Sequence, residues 1–142
     1  IMNADEIAEA FTQLKQQGKV LHFGVSNFTP SQVAMLNSRV KVEINQVQAS
    51  ATYLHPFIDG TLDQCQELGI MPMAWSPLGG GNLFAATDDE RTLRITAVAE
   101  ILGNKYSTTP DVILLSWLLQ HPSKIIPVLG TSKPERIKAA LH

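Results

Sequence analysis

The sequence has one cysteine, almost no net charge and no long apolar run. The single Cys65 has no partner for a disulfide within the chain, which favours a reducing compartment, so we expect a cytoplasmic protein. No apolar run reaches the roughly 18 residues that a membrane-spanning helix needs. The formal net charge of -2 gives no reason to expect nucleic acid or an anionic membrane as a partner. The four histidines lack metal-ligand spacing, so no metal site is expected.

The 142 residues that are present suffice for one domain with a hydrophobic core. Hydrophobic residues make up 44% and charged residues 17%, which is typical of a globular protein. No repeat or flexible linker divides the chain. A helical pattern begins almost at once, and the last helix has barely begun at the end. We therefore expect a single domain over residues 1–142 that is truncated at both ends.

Amphipathic segments alternate with short apolar segments along the chain. The pattern predicts helices over 4–17, 56–68, 90–103 and 110–120, and another that starts at Pro30 and carries Val33 and Leu36 inward. The expected caps are Asn3 for the first helix, Thr29 for the helix from Pro30 and Thr109 for the last. It predicts strands over 21–25, 42–47, 70–75 and 125–129, with a glycine-containing loop over 77–89. Such alternation indicates a parallel α/β sheet. Four strands are compatible with a small doubly wound sheet, or with half of an eight-stranded (β/α) barrel of roughly 250 residues.

The segment that follows the last predicted strand contains the clearest candidate binding motif. Gly130 and Thr131 follow the strand, and Lys133 and Arg136 lie where a helix starts. Cations are disfavoured at a helix N-terminus unless an anion binds there, so this pattern predicts a phosphate site. The alternative is an ordinary capping box, in which Ser132 caps the helix and the glutamate three residues later completes the box.

Polar and aromatic residues collect at the carboxyl ends of the other predicted strands. They occupy residues 24–27, 45–48 and 75–81, and in a parallel sheet these ends share one edge, where α/β proteins bind ligands. Gln46 stands out because an amide in an apolar strand is expected to be buried and to need partners. Amides, hydroxyls, an indole, glycines and cations together suit an aromatic heterocycle that carries amide and phosphate groups, such as a nicotinamide dinucleotide.

Four of these motifs, at residues 24–28, 45–48, 75–79 and 129–136, resemble those of the aldo-keto reductases in order and spacing. The resemblance covers essentially the whole chain. It implies a parallel (β/α) barrel of the TIM type, of which this chain supplies the last four strands and their helices, a half barrel. It also implies an NADP-dependent oxidoreductase that reduces a carbonyl substrate, an aldehyde or a ketone, by hydride transfer.

The resemblance implies the residues that contact the nicotinamide. Ser26, Asn27 and Gln46 would hydrogen-bond the carboxamide, and Trp75 would stack on the ring. The chain departs from the family at the end of its last strand, where a lysine is common and Val128 to Gly130 stand instead.

The resemblance also implies the residues that contact the phosphates. The pyrophosphate would lie against the segment that follows the third strand, which comprises Ser76, Pro77, Leu78, Gly79 and Gly80. The adenosine 2′-phosphate would be held by the segment that starts at Gly130, through Thr131, Lys133 and Arg136. Many members have Glu and Asn where this chain has Ala139 and Ala140.

The catalytic tyrosine, lysine, aspartate and histidine of the family belong to the first half of the barrel, so we assign no catalytic residue here. The chain alone is expected to be inactive, because general acid catalysis needs a group that it lacks. The alternative is a non-catalytic NADP-binding or interaction module with the same fold. A lone half barrel exposes two strand edges and an apolar inner face, so we also expect self-association.

Overall fold

The computed structural model describes residues 2–141, apart from the side chain of Asn82. Six α-helices are present in this range: α1 Ala4–Gln16, α2 Pro30–Asn37, α3 Thr61–Leu68, α4 Glu90–Tyr106, α5 Pro110–Leu119 and α6 Pro134–Ala139. Four strands alternate with them: β1 Gly24–Ser26, β2 Ile44–Gln48, β3 Met71–Trp75 and β4 Ile126–Pro127. Two short 3-10 segments, His55–Phe57 and Gly79–Phe84, follow β2 and β3. None of the described helices combines the length and hydropathy needed to cross a membrane.

The four strands form one parallel sheet in the order β1-β2-β3-β4. One row of the register runs through Ser26, Gln46, Met73 and Ile126. Because βα crossovers are right-handed, a sheet that grows in sequence order carries its helices on a single face. A doubly wound sheet instead reverses its strand order at a switch point. The doubly wound alternative is therefore wrong, and the observed order is that of a (β/α) barrel.

The hydrophobic core lies between the sheet and the helices on one face. In β2 and β3 the buried residues alternate with partly exposed ones, and Val47 and Ala74 point to the helices. Ala74 packs with Leu62 of α3 and Leu118 of α5. A second cluster joins α1, α2 and α3, and it includes Cys65, where burial raises the pKa of the thiol to about 11. Cys65 is thus a core residue and a poor nucleophile at neutral pH.

The opposite face of the sheet is not covered by the described part of the chain. We call it the open face; it consists of Gly24, Ser26, Ile44, Gln46, Gln48, Met71, Met73, Trp75 and Ile126. Met71 is 46% exposed and Ile126 is 39% exposed, although both are large and apolar. The open face corresponds to the inside of a closed barrel.

The helix starts follow local capping chemistry where the sequence predicts them, with two differences. Asn3 accepts hydrogen bonds from the first turn of α1, and Thr29 forms a complete capping box with Gln32. The predicted helix over 56–68 is wrong in its first part, because α3 begins only at Thr61. Gly60 adopts a left-handed φ of 87°, and the Asp59 carboxylate accepts from the Thr61 N–H, so the chain turns there. At α5, Thr109 is the N-cap residue but its side chain makes no cap hydrogen bond.

Gly24 allows β1 to approach β2 closely. A Cβ at this position would lie 2.8 Å from the Cβ of Ile44 and 3.1 Å from its carbonyl oxygen, both of which are anchored in the neighbouring strand. We expect Gly24→Ala to lower the free energy of unfolding by about 1–3 kcal/mol, the usual cost of overpacking. Urea unfolding measures the change. Gly130→Ala is the control, since a Cβ there meets nothing within 4 Å; equal losses in both variants would contradict the steric explanation.

Glu43 links the beginnings of β1 and β2 at the amino end of the sheet. Its carboxylate contacts His22 Nδ1 at 2.7 Å and Lys15 Nζ at 3.8 Å. The hydrogen bond from His22 lowers the pKa of Glu43, and the charges of His22, Lys41 and Lys15 act in the same direction. A carboxyl whose pKa is lowered on folding stabilises the protein above its unfolded pKa, and loses that contribution as the pH falls through its folded pKa.

We therefore expect Glu43→Gln to reduce stability near neutral pH and to make little difference under strongly acidic conditions. Urea midpoints of the wild type and the variant, measured at about pH 7 and about pH 3, provide the test. Glu9→Gln is a control that removes one carboxylate from an exposed site on α1. If the difference in urea midpoint between the wild type and Glu43→Gln were larger at the acidic pH than at neutral pH, the expected pH dependence would be wrong.

Candidate functional site

The candidate site lies at the edge of the sheet where the strands end. Two groups of residues lie there. The first, which we call the amide–indole cluster, consists of Ser26, Asn27, Gln46 and Trp75. The second is a cleft between the segment after β3 and the segment after β4. None of the four cluster residues lines the cleft; the two groups are connected through the chain, because Trp75 of the cluster precedes Ser76, which lines the cleft.

Backbone and side-chain hydrogen bonds hold the amide–indole cluster together. The Asn27 N–H donates to the Gln46 carbonyl oxygen at 2.8 Å, and Ser26 Oγ donates to the same oxygen at 3.1 Å. Asn27 Oδ1 accepts from the Trp75 indole Nε1 at 2.8 Å, and Asn27 Nδ2 donates to Ser26 Oγ at 3.4 Å. The ends of β1, β2 and β3 therefore carry one continuous polar network.

Gln46 is not the buried amide that the sequence pattern predicts; that residue is Asn45. Asn45 is 1% exposed, and its Nδ2 donates to the Phe28 carbonyl oxygen at 3.0 Å, while its Oδ1 has no partner among the described residues. The alternation of β2 turns residue 45 to the helices and residue 46 to the open face. Within residues 2–141 the partly exposed Gln46 side chain has no hydrogen-bond partner.

The cleft has a volume of about 850 Å³ and brings most of the predicted phosphate contacts together. One wall is formed by Ser76, Pro77, Leu78 and Gly80, and the other by Gly130, Thr131 and Arg136. Ala139 and Ala140 line it as well, at the far end of α6. Gly79 and Lys133, which the sequence also places in this site, do not line the cleft.

Gly79 and its neighbours form a tight turn beneath the cleft. Ser76 has a positive φ of 49°, and the Gly79 N–H donates to the Ser76 carbonyl oxygen at 2.9 Å. A Cβ on Gly79 would lie 3.2 Å from Thr52 Oγ1 and 3.3 Å from Leu83 Cγ, so this glycine packs against the protein. Gly80 instead lines the cleft, and a Cβ there would come no nearer than 3.9 Å to Ser76 Oγ.

The start of α6 differs from the capping box that the sequence allows. The N-cap is Lys133, no side chain caps the helix, and the Lys133 N–H donates to Thr131 Oγ1 at 3.2 Å. Thr131 uses an oxygen lone pair in this bond, so its hydroxyl hydrogen can still be donated to a ligand. No ion pair within residues 2–141 involves Arg136. A hydroxyl donor and an available guanidinium thus line the same cleft.

Several residues that sequence reasoning did not assign to the site also line the cleft, among them Phe84, Thr109, Asp111, Leu115 and Glu135. Thr109 is one of them. The sequence pattern around it indicates a helix cap, but in the structure its hydroxyl makes no cap hydrogen bond. Among the described residues, two carboxylates, Asp111 and Glu135, share the cleft with one cation, Arg136. No group of three or more His, Cys, Asp or Glu in the described residues could hold a metal ion.

Comparison with known proteins shows where this architecture belongs. The family described as "Aldo/keto reductase family" matches residues 2–142. Oxidoreductase YdhF of Escherichia coli is 47% identical over 147 residues, covering 100% of this chain and 48% of the relative. The NADPH-dependent alpha-keto amide reductase of Saccharomyces cerevisiae is 32% identical over 141 residues, covering 98% of this chain and 44% of the relative.

A solved structure gives the same result for the fold. A thermostable aldo-keto reductase superposes with a TM-score of 0.86 and 23% sequence identity, over 99% of this chain and 48% of that chain. The predicted barrel fold is confirmed, and the chain spans about half the length of the curated relatives it matches. By sequence and by fold, the chain is a member of the aldo/keto reductase family.

Proposed function

We propose that the protein is an NADP-dependent aldo-keto reductase, an oxidoreductase that reduces an aldehyde or ketone, and that this chain is its cofactor-binding half. One observation carries the proposal. The cleft that holds the Thr131 hydroxyl and the Arg136 guanidinium runs to Ser76, which directly follows Trp75 in the chain. Phosphate donors at one end and an aromatic ring with amides at the other match the two ends of a nicotinamide dinucleotide.

The cleft fits the phosphate-bearing end of such a cofactor. Its volume of about 850 Å³ lies in the range of small-molecule sites, roughly 300–1,000 Å³. Thr131 would donate one hydrogen bond to a phosphate oxygen, and Arg136 would add a charge-assisted pair. Leu129, Ala139 and Ala140 supply apolar surface beside them for a planar base.

The amide–indole cluster fits the nicotinamide end. Gln46 offers an amide without a protein partner among the described residues, and Trp75 offers a flat ring on the open face. When bound, the nicotinamide supplies the hydride that reduces a carbonyl carbon. The residues of this chain would bind and orient the ring, which contributes to the rate by holding the reacting groups in register.

Preference for NADP over NAD rests on the positive charge near Thr131. An arginine without an ion pair in the described structure is suited to the extra 2′-phosphate, and NAD lacks that group. The similarity to a reductase that is named as NADPH-dependent supports the same choice. We propose that the proton donor for the carbonyl oxygen lies outside these 142 residues, in the half of the barrel that the chain does not contain.

NADPH titration of the Trp117→Phe protein tests this proposal, because Trp75 is then the only tryptophan of the chain. Saturable quenching of its emission is expected, with weaker binding of NADH. Absence of quenching by NADPH would overturn the cofactor assignment. Carbonyl-dependent oxidation of NADPH, followed by absorbance, is expected to be absent for this chain. Turnover by this chain alone would overturn the proposal that the proton donor lies in the other half of the barrel.

A further inference from the structure

Asn27 and Trp75 are joined by a hydrogen bond that spans the sheet. The indole Nε1 of Trp75 donates to Asn27 Oδ1 at 2.8 Å, although the two residues are 48 positions apart in sequence. Asn27 follows β1, Trp75 ends β3, and β2 lies between these strands. The bond therefore passes over the carboxyl end of β2, beside Gln46.

The acceptor in this bond is held by the backbone. Asn27 has a positive φ of 56°, in the left-handed region that asparagine tolerates better than most residues. Its own N–H donates to the Gln46 carbonyl oxygen at 2.8 Å, which ties the residue to β2. Asn27 Oδ1 thus presents a fixed acceptor, and it is already occupied by the indole N–H.

The donor lacks an aromatic partner within residues 2–141. Trp75 is the last residue of β3 and is partly exposed on the open face, and no described aromatic ring stacks on it. A tryptophan in such a place could rotate about its side-chain bonds, and a hydrogen bond to its polar edge selects one orientation. The bond to Asn27 provides that selection before any ligand binds.

We propose that Asn27 is a positioning residue: it holds the Trp75 indole as a preset wall for a planar ring, and its contribution to cofactor binding passes through Trp75. The identity of that ring as nicotinamide rests on the proposed function. The hydrogen bond itself does not, so the two can be tested separately. Direct contact of Asn27 with the cofactor makes a different prediction, because its effect would then be independent of the indole.

The first experiment examines the protein without ligand. Protein labelled with [15N]tryptophan gives two indole N–H signals, and Trp117→Phe assigns the Trp75 signal. Asn27→Gly tolerates the positive φ but removes the acceptor, while Asn27→Asp retains an oxygen at the same place. We expect Asn27→Gly to shift the Trp75 signal upfield and to speed its hydrogen exchange about fivefold or more, and Asn27→Asp to resemble the wild type. An unchanged signal in Asn27→Gly would overturn the proposal.

The second experiment is a double-mutant cycle for NADPH binding, with dissociation constants from the fluorescence of NADPH itself. Asn27→Gly is expected to weaken binding about 3- to 10-fold when Trp75 is present. In a Trp75→Phe background, which lacks the indole donor, the same change should cost less than about twofold. Equal losses in both backgrounds would overturn action through Trp75. If the wild type binds no NADPH, the proposed function fails, and the indole signal alone still decides the positioning role.

Discussion

Replacing Arg136 by alanine is expected to weaken NADPH binding by about 10- to 100-fold, because a hydrogen bond to a charged group contributes about 1.5–3 kcal/mol. NADH lacks the 2′-phosphate, so its affinity should change by less than about threefold. Thr131→Val, which keeps the shape of the side chain and removes the hydroxyl, should add a smaller loss of about 3- to 10-fold for NADPH. Titrations of both cofactors in the same buffer measure the discrimination directly, and the difference should shrink as salt is raised.

Two lysine variants test whether the position of the positive charge in the cleft matters, and not only its presence on α6. Lys138→Ala removes the same charge from the same helix outside the cleft, so it serves as the matched control. Lys133→Ala should have the smaller effect of a distant cation, because Lys133 does not line the cleft. If Lys138→Ala weakened NADPH binding as much as Arg136→Ala, the assignment of Arg136 to the 2′-phosphate would be wrong. Equal losses for NADH and NADPH would also contradict it.

We expect the 142-residue chain, prepared on its own, to form dimers or larger assemblies through the open face. Met71 and Ile126 are large apolar residues that this face exposes, and β1 and β4 are strand edges without a neighbour in the described structure. Two sheets of four parallel strands contain the eight strands of a closed barrel, so a second copy would cover both the apolar face and the edges. Light scattering over a range of protein concentrations measures the mass.

The variant Met71→Lys places an ammonium on the open face. It should lower the association constant by at least about 100-fold, because burying an unpaired charge costs several kcal/mol. Ile101→Lys is the matched control; Ile101 is 67% exposed on α4, away from the open face. It should associate like the wild type. A wild-type chain that stays monomeric at all concentrations would contradict the prediction, as would equal effects of the two lysines.

Local sequence signals predict much of this fold, since their physical causes act over a few residues. Asn3 and Thr29 cap their helices as the pattern indicates, and Val33 and Leu36 are buried on α2. The four strands occur where the apolar runs predict them, although each is shorter or shifted at its ends. β4 keeps only Ile126–Pro127, because a strand extends only as far as its neighbour pairs with it.

Other features could not be predicted locally, because they depend on competing turns or on partners distant in sequence. The helix predicted over 56–68 loses its first turn to the Asp59–Gly60 turn, and Ile58 in the lost turn is 83% exposed. The choice between Asn45 and Gln46 as the buried amide depends on which face of β2 the helices cover. Asn27 and Trp75 come together only because β1 and β3 flank β2.

The sequence alone determined which chemical groups stand at the strand ends, and through four ordered motifs it determined the family resemblance that the comparisons confirm. Backbone alternation and helix caps are short-range effects, so residue order suffices for them. The tertiary structure decided the strand order, the single helix-covered face, and which cation enters the cleft. Arg136 lines the cleft and Lys133 does not, because Lys133 ends as the N-cap of α6 while Arg136 lies within its first turn. That distinction depends on where the helix begins in space relative to β3, and no pattern within one segment contains it.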